Sequence, residues 1–239
     1  MIVCGTLRVM GSFIRPFLTA FWSVSLISYF APFTVWAGSG YTYFQSITGD
    51  DSDSDQSQWD SVYAKTKEYV FGKEPVPFLA ENLNLLPVGK ALDLAMGEGR
   101  NAVFLAKKGF DVTGVDISEV AVHKAKKLAH ERGVRLRTIT TDLNKYQIPL
   151  ETFDVIMVFY YLQRSLIPHI IKGLKAGGVL IFEDYTLEQL KYNKSENRAY
   201  LLQKDELKNM FKDHLHTLKY KETDNGKEAF ASLIARKKK

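Results

Sequence analysis

After Trp59, short runs of β-branched and aliphatic residues alternate with stretches whose apolar residues recur at helical spacing, and no other feature limits the fold as much. Such alternation builds βα units, which bury their apolar faces by packing helices on both sides of a mainly parallel sheet. The expected strands cover Ala91–Ala95, Asp111–Asp116, Leu136–Thr141, Asp154–Val158 and Val179–Phe182. Helices are expected over Arg100–Lys108, from a Ser118 N-cap to Arg132 before Gly133, over Leu166–Leu174 ahead of Gly177-Gly178, and over Lys204–Phe211. Two last strands, His216–Lys221 and Ala229–Ala235, are separated only by the Thr223–Lys227 link and so form an antiparallel hairpin. The fold class that follows is α/β: a Rossmann-like, seven-stranded, mainly parallel sheet with helices on both faces and a C-terminal hairpin.

Open sheets of this kind bind ligands beyond the carboxyl ends of their strands, near the point where strand order reverses. At the end of the first strand stands Asp93-Leu94-Ala95-Met96-Gly97-Glu98-Gly99-Arg100-Asn101. Gly97 and Gly99 let the backbone turn sharply and approach a ligand, and the following helix start offers free N–H groups. Asp116 ends the second strand, where a carboxylate accepts both hydroxyls of a ribose. Asp142 and Leu143 follow the third, an acceptor and an apolar face that suit an adenine. A lone glycine-rich turn is a weak signal, and either acid alone is an ordinary turn residue. The ordered set of three acids at three successive strand ends is what points to a nucleoside cofactor.

A nicotinamide cofactor is the first rival, because Gly97-Glu98-Gly99-Arg100-Asn101-Ala102 satisfies G-x-G-x-x-A with Asp116 downstream. Asp93 opposes it: an acid inside the first strand holds an amino group well but sits badly beside a pyrophosphate. The chain also lacks the length for a second mononucleotide half and a substrate domain.

The stretch from about Val88 to Tyr185 resembles the class I methyltransferase family. Asp93 with Gly97-Glu98-Gly99-Arg100-Asn101, and Asp142-Leu143-Asn144, are most similar to the branch related to the tellurite-resistance methyltransferases. The resemblance implies S-adenosylmethionine as cofactor, with Asp93 and the Gly97–Gly99 loop near its methionine portion, Asp116 on the ribose and Asp142 near the adenine. The full cofactor set it implies is Asp93, Ala95, Gly97, Glu98, Gly99, Arg100, Asn101, Asp116, Ile117, Asp142, Leu143 and Phe159. One departure stands out, Ala95 in place of the family's first glycine, a methyl group that tightens the loop.

Methyl transfer from a sulfonium is an in-line displacement, so the protein mainly aligns donor and acceptor and keeps the site dry. Acceptor-side candidates come from Phe159-Tyr160-Tyr161-Leu162-Gln163-Arg164, with Tyr160 and Tyr161 as the candidate catalytic residues, and from Glu183-Asp184-Tyr185. Arg164 either orients an anionic acceptor or pairs with a surface acid. Trp59, Tyr63, Tyr69 and Phe71 form an expected lid, although aromatic clusters are more often packing than function. With no extra recognition domain to hold RNA or protein, a small-molecule methyl acceptor is expected. A non-catalytic module that binds the cofactor or its product while tethered to a membrane is the alternative.

Composition excludes other classes. The net charge of +5 includes Arg8, Arg15 and the terminal run Lys237 to Lys239, and no basic stripe interleaved with aromatics marks a nucleic-acid partner. Cys4 is the sole cysteine, so neither an intrachain disulfide nor a thiolate zinc site is expected, and the five histidines lack metal-ligand spacing. Residues 1–37 read as a signal peptide or membrane anchor: Arg8 and Arg15 precede an uncharged stretch, Pro16–Ala37. Residues 38–58, with Asp50-Asp51-Ser52-Asp53-Ser54-Asp55, read as an acidic disordered linker, leaving 59–239 for the methyltransferase domain. The charge asymmetry places the domain at or beyond a membrane, whereas the methyl donor is cytosolic; a misassigned start would make the chain cytoplasmic.

Overall fold

The computed structural model describes residues 52–238. The strands are β1 (Lys90–Leu94), β2 (Asp111–Asp116), β3 (Arg137–Thr140), β4 (Phe153–Phe159), β5 (Leu174–Tyr185), β6 (Leu215–Asp224) and β7 (Ala229–Lys237). The helices are α1 (Ser52–Ala64), α2 (Pro77–Glu81), α3 (Arg100–Lys107), α4 (Glu119–Glu131), α5 (Ile167–Gly173) and α6 (Glu206–Phe211). They surround one seven-stranded sheet of order β3-β2-β1-β4-β5-β7-β6. β1 pairs parallel with both β2 and β4, and β7 runs antiparallel between β5 and β6.

The alternation of strand side chains sends successive residues to opposite faces of the sheet. Leu92, Leu94, Ile156, Val158, Leu180 and Phe182 pack on one face with α5 and α6 through Ile167, Ile170, Leu207 and Phe211. Ala91, Val155, Met157, Val179 and Ile181 pack on the other with α2, α3 and α4 through Leu79, Ala102, Leu105 and Val122. Burial on both faces explains why the central strands read as continuous apolar runs. Each fully buried Leu, Ile or Phe contributes about 1.5–3 kcal/mol.

Several element ends differ from expectation for identifiable reasons. β5 starts at Leu174, five residues early, because Phe153 pairs with Leu174 and Val155 with Val179, so Gly177-Gly178 lies in a bulge inside the strand rather than behind a helix. The hairpin strands run on to Asp224, and the turn is closed by the Asn225 side chain, whose Oδ1 accepts from the amides of Lys227 and Glu228, both at 2.9 Å. α1 begins at Ser52, inside the stretch expected to be a linker. Its Trp59 and Tyr63 rings stack one turn apart, with centroids 5.7 Å apart, and Tyr63 is buried. Residues 38–51 of that stretch lie outside the described residues, as do 1–37, the expected signal or anchor. Among the described residues no helix is long and apolar enough to cross a membrane.

Candidate active site

The chain leaves β1 toward β2 on one side and later returns to β4 on the other, so strand order reverses between β1 and β4 and opens a crevice at their carboxyl ends. A cavity of about 150 Å³ lies there. Its lining includes Asp93, Ala95, Gly97, Glu98, Arg100, Asn101, Asp116, Ile117, Asp142, Leu143, Phe159, Tyr160 and Tyr161. Of the expected set only Gly99 is not in the wall. Its φ is +82°, and a Cβ there would stand 2.7 Å from the Ala125 Cβ on α4, so it is glycine to let α3 and α4 approach. Gly97, at φ +57°, has the Tyr63 hydroxyl 2.9 Å from where its Cβ would be. Ala95 takes the left-handed region at φ +54° with a side chain, which explains why glycine suits this position better.

Two buried acids form the floor. Asp93 is 2% exposed, and its Oδ2 has no hydrogen-bond partner among the described residues. Burial, and then the nearby Asp116 carboxyl, hold Asp93 well above its ordinary range, while Arg100 and the Ala102 amide act in the opposite sense. Asp116 accepts from the Gly97 amide at 2.7 Å through Oδ2 and from the Ser118 amide at 2.9 Å through Oδ1. It thereby ties the glycine loop to the end of β2, and burial, only partly offset by those amides, raises its pKa to about 6. Asp142 closes its own turn by accepting from the Asn144 amide at 2.8 Å.

The polar groups of Glu98, Arg100 and Asn101 point to the segment ahead of β1. Glu98 Oε1 accepts from Lys124 Nζ at 2.9 Å and its Oε2 from the Phe71 amide at 3.3 Å. Lys124 also donates to the carbonyls of Thr66 and Glu68, at 2.9 and 2.8 Å. Arg100 donates to the Phe71 carbonyl at 2.9 Å, and Asn101 Oδ1 accepts from the Val76 amide at 2.9 Å. The loop motif therefore holds a strap over residues 65–76 across the cleft. Trp59, Tyr63 and Phe71 of the expected lid line the cavity, whereas Tyr69 packs against Val103, Leu128 and Ala129 and donates to the Lys124 carbonyl at 3.3 Å.

On the β4 side, Tyr160 takes φ +57° and its hydroxyl donates to Glu183 Oε1 at 3.0 Å. Tyr161 donates to Gln163 Oε1 at 2.6 Å, and burial holds its phenol far above the ordinary range, so it stays protonated. Gln163 in turn donates to Asn144 Oδ1 at 2.6 Å, joining the loops after β3 and β4. Arg164 pairs with an acid: its guanidinium forks onto Glu206 at 2.7 and 3.0 Å and donates to the Ala199 and Leu201 carbonyls. It is part of the scaffold. Asp55, Val62, Gly72, Met96 and Asn144 also line the cavity and stand outside the expected set of site residues. Met96 lies inside the motif and Asn144 just past Asp142, so nearness to the strand ends was a signal for both, whereas Asp55 was hidden in an acidic run.

The chain is 31% identical over 168 residues to the probable S-adenosyl-L-methionine-dependent methyltransferase TehB of Haemophilus influenzae, covering 62% of this chain and 57% of that protein. It thus spans little more than half the length of that relative. The crystal structure of TehB from Haemophilus influenzae superposes with a TM-score of 0.59 at 22% identity, covering 77% of this chain and 67% of that one. Geranyl diphosphate C-methyltransferase from Streptomyces coelicolor, solved with S-adenosyl-L-homocysteine, has the same fold, with a TM-score of 0.56 at 14% identity over 67% of this chain and 74% of that one. The family described as tellurite resistance protein TehB matches residues 63–228, a span that includes β1, the glycine loop, β2 and β4. The chain belongs to the TehB tellurite-resistance family.

Proposed function

We propose that the chain is an S-adenosylmethionine-dependent methyltransferase that modifies a small-molecule nucleophile by in-line transfer. The observation that carries this reading is the Asp93 Oδ2 atom, a buried acceptor in the cavity wall with no donor among the described residues. A buried carboxylate oxygen without a donor is costly, and the α-ammonium of a methionine moiety satisfies both its hydrogen bond and its charge. Bound there, the cofactor supplies a methyl group on a sulfonium sulfur.

The remaining residues take roles that their placement supports. Each Asp116 oxygen accepts one amide and keeps a lone pair for a ribose hydroxyl. Asp142 and Leu143 offer an acceptor and an apolar face to an adenine. Phe159, Trp59 and Tyr63 exclude water, which strengthens the electrostatic interactions within. α1 and the strap lie in the cavity wall, which favours a compact acceptor such as a thiol or chalcogen oxyanion over a macromolecule. Transfer of label from methyl-labelled cofactor to a panel of small thiols and chalcogen oxyanions tests the proposal. Turnover of members of that panel is expected. Labelling confined to protein or RNA overturns the acceptor class, and binding with transfer to nothing reduces the chain to a binding module.

A further inference from the structure

Behind Tyr160 lies a carboxyl group with no role in holding the cofactor. Glu183 is 2% exposed, yet among the described residues it forms no ion pair. Its two oxygens are served by neutral hydroxyls: Tyr160 donates to Oε1 at 3.0 Å, and Ser232, itself fully buried on β7, donates to Oε2 at 2.6 Å. A Gln side chain would fill the same space without the cost of a buried charge, so the carboxyl calls for a reason. The group in front of it is strained. Tyr160, in the left-handed region, donates its backbone N–H to the Glu183 carbonyl at 2.8 Å, and its ring packs on Tyr185 with centroids 5.2 Å apart. Strain of this kind costs about 1–3 kcal/mol and persists where the surroundings over-determine it, commonly at active sites. The Arg100 guanidinium lies over the same ring, 5.9 Å from its centroid, favouring negative charge at the phenol. Tyr160 thus joins the cavity wall to a buried proton acceptor.

We propose that Tyr160 and Glu183 form a proton relay for acceptors that are not already ionised, with Glu183 as the final base acting through the phenol. The inference rests on the methyltransferase reading above. As an X–H acceptor gives its proton to Tyr160 Oη, the phenolic proton passes to Glu183 Oε1. The electron pair left on X forms the new X–C bond, the C–S bond breaks toward sulfur, and one proton is left on Glu183 for later release to water. Burial raises the Glu183 carboxyl, which fits a base, while Ser232 and Tyr160 pull it back. The other charged groups facing the pair are Lys221 on β6, Glu228 ahead of β7, Asp184 beside it on β5 and Arg100 on α3.

Two measurements on the full chain test the relay. In the first, rates of methyl transfer are compared for 4-nitrothiophenol, ionised at neutral pH, and 2-mercaptoethanol, which is not. Glu183→Gln and Tyr160→Phe should each shift the ratio of kcat/KM values toward the ionised thiol by about 100-fold, the lower end of a general base's contribution. Glu183→Asp should restore part of the shift. An unchanged ratio in both variants overturns the proposal, because a purely structural role lowers both rates together. The second readout needs no turnover. A carboxyl C=O stretch missing from Glu183→Gln should titrate above the ordinary carboxylate range, and move higher still in Tyr160→Phe as the carboxylate loses a donor. A band indifferent to Tyr160→Phe overturns the coupling. If the wild-type chain binds S-adenosylmethionine but turns over neither thiol, the relay fails and the cofactor reading stands. If it binds no S-adenosylmethionine, the cofactor reading itself fails.

Discussion

Asp93 and Ala95 show opposite sides of the same site. Removing the Asp93 charge by Asp93→Asn should weaken S-adenosylmethionine binding by about 1.5–3 kcal/mol, the size of a hydrogen bond to a charged group. The free chain should meanwhile gain about 1 kcal/mol or more of unfolding stability, because an uncompensated buried charge is gone. Calorimetry and urea unfolding on one variant report the two signs, and a loss of both would mark Asp93 as scaffold alone. Ala95→Gly relieves a left-handed side chain but loosens the unfolded chain, for a net gain of about 0.5–1 kcal/mol in the same unfolding experiment. Both residues line the cleft, where a strand end followed by glycines in the sequence sends the backbone. The sequence does not show that Asp116 spends its first hydrogen bonds on the Gly97 and Ser118 amides, because a partner nineteen residues away is set by the sheet, not by local spacing. Asp116→Ala should therefore disturb the loop as well as the proposed ribose contact.

Among the elements, α1 and the strap ahead of β1 are the least legible. Asp and Ser around residue 52 read as linker because polar side chains lack a face to bury. The helix α1 that forms there is held by tertiary contacts: Asp60 Oδ1 accepts from Ser118 Oγ at 2.5 Å and from the Val120 amide at 3.2 Å, adding to the cap of α4. Nothing in the local sequence announces a partner sixty residues on. Strand identities were legible from β-branched runs, whereas the β5 bulge was not, since Gly177-Gly178 reads equally as a helix stop. Lys124 and Glu98, with side chains 11% and 2% exposed, pin the strap to the loop. Lys124→Ala leaves Glu98 buried and unpaired and should cost about 3–5 kcal/mol in unfolding free energy. Lys124→Met with Glu98→Gln should recover much of that loss. A cost below about 1 kcal/mol, the range of a surface pair, would show that the strap does not depend on the clamp.

At the scale of the whole molecule, the cluster of buried acids links stability, pH and ligand. Asp93 and Asp116 both have pKa values raised by burial, Asp116 from 3.8 to about 6. Their contribution to stability is fully present below the unfolded-state value and is lost as pH rises, through about 6 for Asp116, because the unfolded chain sheds these protons first. A cationic cofactor favours the ionised acids, so its affinity should rise by up to about tenfold per pH unit as Asp116 ionises between about pH 4 and 6. Titration across that window checks the sign. A flat profile would place the bound charge away from these carboxyls.

The most direct measurement is calorimetric titration of a folded chain with S-adenosylmethionine, S-adenosylhomocysteine and NAD. Micromolar binding of both adenosyl ligands, with none of NAD, is the predicted result. A folded chain that binds neither adenosyl ligand would contradict the assignment of the β1–β4 cleft as a methyl-donor site.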